Sequence, residues 1–539
     1  MTSIALSTPS PISIPTSETW DSDGSGLWST FVVDVGTPPQ PARVLISTSN
    51  GETWVVGPEG CPAKYGDDCA DSRGMTFQPD NSTTWTEIGL YELDLELNLG
   101  YTGNGQYGHD TVTLGYPGSG APSLEHQVVA GIASPDFWLG SFGLDPAPRN
   151  FTNLNDPQPS FLQTLKNTTV IPSLSWAYTA GAAYRYDKVQ GSLILGGYDT
   201  SRFSPQNLTF DMYEDVTRRF IVDLASIAYV PAGSSTTIGT TLTFEKISMF
   251  IDSTIPDFYL PIDICARFEE VFGLQWNDTS QIYTLNETMH TTMLSMNPDI
   301  TFTLSNLYNK TLDISLPYSA FDLNATFPIA NQSTYYFPLR RASNDTMYTL
   351  GRVFLQEAYL IADYQRFQFS VAPCAWPPVF TPQIAAILPP TENSIATTSV
   401  LPGASPSKST TISIAAIAGI VMGGVVLISL ILVLGLFLLR RWEKVKEIPT
   451  ISTSVEVPPP TSATYPRSPD GMMMDFIKSE LEDRQLAEMD GTAYPSEIET
   501  PSTPFRHELD SKGYVSELGT EQVFEMSAME LKPKSSRRI

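Results

Sequence analysis

Residues 412–439, ISIAAIAGIVMGGVVLISLILVLGLFLL, carry no charge. A helix needs about 20 residues to cross a bilayer, and a soluble helix rarely stays apolar on every face for this length. RRWEKVK follows at once, and basic residues mark the cytoplasmic flank. The run predicts a transmembrane helix over 412–439. The chain then reads as a single-pass type I membrane protein of the cell surface or secretory pathway, with its N-terminal ectodomain outside and its C-terminus cytoplasmic. The same run divides the chain into pieces that meet different solvents.

Residues 440–539 are polar, rich in Pro, Ser and Thr and poor in aromatics, a composition that predicts a disordered tail. Short recurring stretches within it (AEMDG, HELDS, SELGT, FEMSA) would suit cytoplasmic partners as linear docking motifs. Residues 376–411, also dense in Pro, Ser and Thr, read as an extended stalk. Residues 1–25 show neither an apolar core nor a basic start. No signal peptide is evident there, so a leader is expected to have been truncated or removed.

Ten N-x-S/T sequons stand at Asn81, Asn150, Asn167, Asn207, Asn277, Asn286, Asn309, Asn324, Asn331 and Asn344, and none follows them. Their confinement to the N-terminal side of the apolar run points to a glycosylated lumenal region. The four cysteines, Cys61, Cys69, Cys265 and Cys374, form no CxxC pair. A metal site is therefore not expected. An even count in a secreted context fits two disulfides, one closing the short loop Cys61–Cys69 and one clipping Cys265 to Cys374. The net charge of −27 makes nucleic acid a poor partner.

Residues 26–375 lack sustained 3.6-residue periodicity. They offer short strands separated by turn residues, such as TFVVDVG, ARVLIS, TWVVG, YELDLELNLG, GSLILGG, ISMFID and FQFSVA, which predicts an all-β ectodomain. One pattern occurs twice. VLISTSNGETW (44–54) and MFIDSTIPDFYLP (249–261) each run from an apolar strand through a Ser/Thr turn to aromatic and apolar residues. FWLGSFGLD (137–145) and YTLGRVFLQEAYLIAD (348–363) match more loosely. Two similar lobes facing each other would bring the two turns together in one cleft.

With these motifs the chain resembles the pepsin-like aspartic protease family (peptidase A1). VGTPPQ (35–40) resembles the family's entry to its first active-site loop, and Trp54 follows Ser47 at the family's spacing from catalytic Asp to Trp. GYTGNGQYGHDTV (100–112) is similar to the flap hairpin, with Tyr101 as its Tyr. GSLILGGYD (191–199) and YTLGRVFLQEAYLIADYQRFQFSVA (348–372) resemble later segments. The resemblance implies a bilobal β fold, with lobes over 26–205 and 206–375, no cofactor, and a cleft for extended peptides. The stalk, sequon density and tail are similar to fungal cell-surface members.

The family's chemistry needs two carboxylates in contact, one ionised and one protonated, because like charges this close cannot both ionise. The second loop keeps its acid, Asp252. The first has Ser47 in the corresponding place, and both loops lack the expected Gly. Ser47 cannot serve as a carboxylate base, and no His stands in a recognisable triad context to make it a nucleophile. Asp34-Val35-Gly36-Thr37 imitates the motif but stands too early, in residues that VGTPPQ claims. The resemblance therefore implies a pseudoprotease whose cleft, lined by Trp54, Tyr101, Ser47 and Asp252, binds peptide or wall material. The rival is an acid endopeptidase with a divergent dyad, which requires a second carboxylate within hydrogen-bond reach of Asp252. A third reading makes the ectodomain a spacer for a working tail.

Overall fold

A computed structural model describes residues 8–390 apart from 154, 231–239 and 244. The predicted spanning helix (412–439) and tail (440–539) lie outside the described residues. Among the described residues no helix is long and apolar enough to cross a membrane.

The molecule is mostly β, as the short alternating segments require. Each half builds a large sheet around one of the repeated loops. In the first half eight strands run from Thr16–Ser22 at one edge to Thr86–Glu92 at the other. In its centre Gln40–Ser47 lies parallel to Gly140–Gly143, with Ser47 opposite Gly143. In the second half Ile247–Ile251 lies parallel to Thr349–Leu350, with Ile251 opposite Leu350. Each loop thus leaves a strand and passes beneath a glycine. A Cβ on Gly143 would stand 2.4 Å from the Asn50 carbonyl oxygen, and one on Gly351 would stand 2.2 Å from that of Asp257. Backbone approaches this close admit only glycine. The structural counterpart of Gly351 is therefore Gly143, not the Gly140 that aligning LG with LG in FWLGSFGLD and YTLGRVF pairs with it.

A six-stranded sheet joins the halves. It contains Ile12–Ile14, Val189–Leu195 and Ser175–Ala182 from the first half and Ala358–Asp363, Gln368–Pro373 and Leu208–Asp211 from the second. Ser175–Ala182 meets Ala358–Asp363 at the seam. One continuous apolar core runs through both large sheets and this one. Two buried ion pairs also cross the seam, Arg219 to Asp145 at 2.8 Å and Arg352 to Asp23.

Strand structure begins before residue 26 and persists past 376. Ile12–Ile14 pairs with Leu193–Leu195, and Ile384–Ala386 pairs with Gly197–Asp199. The start of the expected stalk is thus a strand on the body. All ten sequon asparagines are exposed.

Cys61 and Cys69 form a disulfide. The expected Cys265–Cys374 bridge does not form, and both are free thiols. Cys265 sits on helix Ile262–Phe272 with its Sγ 3.4 Å from the Leu260 carbonyl oxygen. Cys374 follows Gln368–Pro373 in the joining sheet and lies 3.4 Å from Thr179 Oγ1. The two thiols belong to different layers, and burial raises the pKa of both, Cys265 to about 12.

Candidate active site

The two repeated loops meet, and their backbones lock to each other reciprocally. Thr48 N–H donates to Ser253 Oγ at 3.0 Å, and Ser253 N–H donates to Thr48 Oγ1 at 3.0 Å. Ser253 Oγ also donates to the Ile46 carbonyl at 2.7 Å. This pseudo-twofold exchange sets Ser47 and Asp252 in equivalent places. In keeping with that, Asn50 N–H donates to Ser47 Oγ at 2.9 Å and Thr254 N–H to Asp252 Oδ1 at 2.8 Å. Ser47 and Asp252 are both fully buried.

The glycines expected after each Thr/Ser are Ser49 and Thr254, and their hydroxyls fill the space between the loops. Ser49 Oγ donates to Asp252 Oδ1 at 2.9 Å and lies 2.8 Å from Thr254 Oγ1. Thr254 Oγ1 lies 2.7 Å from Ser47 Oγ. Asp252 is thus satisfied on Oδ1 by Ser49 and a backbone amide, while Ser47 reaches it only through other hydroxyls.

The second carboxylate at Asp252 is Glu96, which inspection of the motifs missed. YELDLELNLG reads as one alternating strand. In the structure the strand Thr86–Glu92 stops, and Asn104–Leu114 returns as the other arm of a hairpin. Asp94 and Glu96 in the tip take left-handed backbone angles, φ 53° and 55°, which a ladder does not accept. A short turn of helix, Leu97–Leu99, follows. Glu96 is turned into the cleft, 8% exposed, and its carboxyl comes up beside that of Asp252, with the Ser49 hydroxyl between them. Ser49 Oγ also lies 3.4 Å from Glu96 Oε1. Burial, and then the neighbouring Asp252, hold the Glu96 carboxyl well above its usual pKa. The signal available in the sequence was a run of acids at alternate positions, which a solvated strand face explains equally well.

Tyr101 lies at the hairpin tip. Its ring stands 5.5 Å from that of Phe137 and packs on the cluster that contains Tyr259. Trp54 is 1% exposed and lines neither cavity described below. It packs beneath Phe137 at 5.1 Å, and Phe137 is the residue that reaches the cleft. Glu52 holds this layer together, accepting from Trp54 Nε1 at 3.0 Å and Tyr107 OH at 2.8 Å and pairing with Arg149 at 3.3 Å.

The tip divides the cleft. A cavity of about 410 Å³ lies on the side of Leu99 and Tyr101, reaching Thr254 and Tyr259. Another of about 610 Å³ lies on the side of Glu96 and Leu97, reaching Ser49 and Arg218. Both touch both halves of the molecule.

Asp34, the early imitation of the motif, belongs to strand Leu27–Val35, opposite Pro41 and Thr113. Its oxygens find no hydrogen-bond partner among the described residues, and burial pushes its pKa up to about 6. None of the described histidines meets Ser47. His109 stacks on His126 at 3.9 Å, and His290 pairs with Asp322 at 2.7 Å.

Two facing loops under a β-hairpin, with Ser47 and Asp252 in equivalent places, form the cleft of a two-lobed β scaffold. The family model described as eukaryotic aspartyl protease matches residues 30–374, and the chain belongs to that family. Barrierpepsin of Saccharomyces cerevisiae is 23% identical, over 65% of this chain and 60% of its own length. An acid protease of Saccharomycopsis fibuligera is 23% identical over 63% of this chain and 79% of its own. Secreted aspartic protease 7 of Candida albicans is 24% identical over 36% of this chain and 31% of its own. The chain thus spans about three fifths of barrierpepsin's length.

Proposed function

We propose that this protein is a membrane-anchored, glycosylated pseudoprotease of the cell surface or secretory pathway, whose cleft binds extended peptide. The observation that carries the reading is Ser47. It occupies the place equivalent to Asp252, where the chemistry needs a carboxylate to take a proton from water. Ser49 and Thr254 fill the space between the loops in which such a water would sit. The anchor rests on the uncharged run 412–439, and the cytoplasmic partners rest on the tail beyond it. The exposed sequons support glycosylation in the secretory pathway, and the word "secreted" in the name of one relative agrees.

One observation favours a second reading, an acid endopeptidase. Glu96 brings a second carboxyl beside the buried Asp252, as the acid-pair chemistry requires. Against it stands the position of Glu96. The two cavities lie on either side of the hairpin tip, so an extended peptide running through both must displace the tip and carry Glu96 away from Asp252. The test is digestion of a diverse peptide library from pH 3 to 7 by the full chain and by Glu96→Gln and Asp252→Asn. Cleavage abolished by both substitutions would establish the second reading in place of the first.

A further inference from the structure

We propose that Glu96 and Asp252 form a proton-dependent latch that holds the hairpin tip shut over the cleft floor in acid and releases it towards neutral pH. This rests on the reading of the cleft as a peptide groove, and it names what controls access to that groove.

The tip (93–103) is attached to the second half of the molecule by few contacts. Asn98 Nδ2 donates to the Thr346 carbonyl at 2.7 Å. Leu99 and Tyr101 pack on Ile255 and Tyr259. Leu97 between them is 56% exposed. The remaining attachment is Glu96, driven onto Asp252. Asp252 Oδ1 is occupied by Ser49 and Thr254, but no hydroxyl or amide among the described residues reaches its buried Oδ2. A proton held by the Glu96 carboxyl is the donor that site lacks.

The charges around Glu96 leave the pair to itself. Arg218 is the cation that pulls against the shared proton, and its guanidinium lies over the Phe250 ring at 5.6 Å. Arg149, on the first half, is committed to Glu52 and Asp94, and Arg219 to Asp145. Tyr259 faces Tyr101. Asp215, at the cavity rim, is bound by Thr217. With its proton the pair is hydrogen-bonded. Without it, two carboxylates face each other in a buried site and repel.

The direction follows from linkage. In the shut state Glu96 titrates well above its usual range, because it is buried and beside Asp252. With the tip raised it is solvated and titrates normally. The shut state therefore binds the proton more tightly. Its advantage is full below the ordinary carboxyl range and is lost as pH rises through the shut-state value. Between the ordinary carboxyl range and that value the opening constant grows about tenfold per pH unit, and above it the constant levels off.

Amide exchange of residues 93–103 in the full chain, expressed as protection relative to the intrinsic rate at each pH, reads this without any peptide. Protection of the unaltered tip is expected to fall about tenfold per pH unit from the ordinary carboxyl range up to the raised shut-state value and then to level off, while Glu96→Gln, which keeps a donor and cannot ionise, stays protected throughout. The infrared difference spectrum between the unaltered protein and Glu96→Gln should show one protonated carboxyl component lost in the variant. Protection independent of pH in the unaltered chain, or the same fall in Glu96→Gln, would overturn the latch. Peptide cleavage by the unaltered chain would overturn the pseudoprotease reading and leave these exchange results standing.

Discussion

At the scale of single residues, the proposed loss of activity rests on three positions in the floor of the cleft. Ser47 removes a charge. Ser49 and Thr254 place hydroxyls where backbone alone is expected, and those hydroxyls bond to each other and to the floor. An Asp at 47 would have to displace the Thr254 hydroxyl 2.7 Å away, in a fully buried site. Overpacking of that kind costs about 1–3 kcal/mol. Ser47→Asp alone is therefore expected to lower stability in urea by about that much and to remain without peptidase activity. Adding Ser49→Gly and Thr254→Gly is expected to recover stability in part and to give measurable cleavage that depends on Asp252. Cleavage by the single variant would show that the hydroxyls are no obstacle.

At the scale of elements, the hairpin Thr86–Leu114 is anchored at its base by Glu52. That carboxylate takes Trp54, Tyr107 and Arg149, and burial outweighs the pull of Arg149 to raise its pKa. Removing one member of a buried charged network leaves the others unpaired, at about 3–5 kcal/mol. Glu52→Ala is expected to lower stability by this order and to loosen the hairpin, which urea unfolding and amide exchange over 86–114 would register. The elements were unequally legible from residues alone. The two loops could be found because the same strand-turn-aromatic pattern occurs twice and a strand must precede each loop. The hairpin tip could not. Asp94 and Glu96 alternate with leucines as they would in a strand, and nothing local marks the two left-handed residues that turn Glu96 inward. The second cysteine pair failed for a different reason, although Cys61 and Cys69 pair as expected. Four thiols allow several pairings, and only the fold shows that Cys265 and Cys374 lie in separate layers.

At the scale of the whole molecule, the buried acids set how stability depends on pH. Burial raises the pKa of Glu52, Glu96, Asp145 and Glu357, and that of Asp34 to about 6. A carboxyl whose folded pKa lies above its unfolded value contributes stability below the unfolded value, and that contribution is lost as pH rises through the folded one. The net charge of −27 adds repulsion in the same direction. The melting temperature is therefore expected to be higher near pH 5 than near pH 7.5. For Asp34 the rise from 3.8 to about 6 corresponds to at most about 3 kcal/mol over the whole titration, of which roughly half is lost between about pH 5 and pH 7.5. Asp34→Asn should remove this share and flatten the pH profile, and an unchanged profile would show that Asp34 titrates normally.

The most direct test of the proposed pseudoprotease reading is digestion of a diverse peptide library by the purified full chain from pH 3 to 7, with Asp252→Asn as control. The expected result is no cleavage at any pH, with Asp252→Asn indistinguishable from the unaltered protein. Cleavage that disappears in Asp252→Asn would mean that the single floor acid still works with a partner, and would contradict the account.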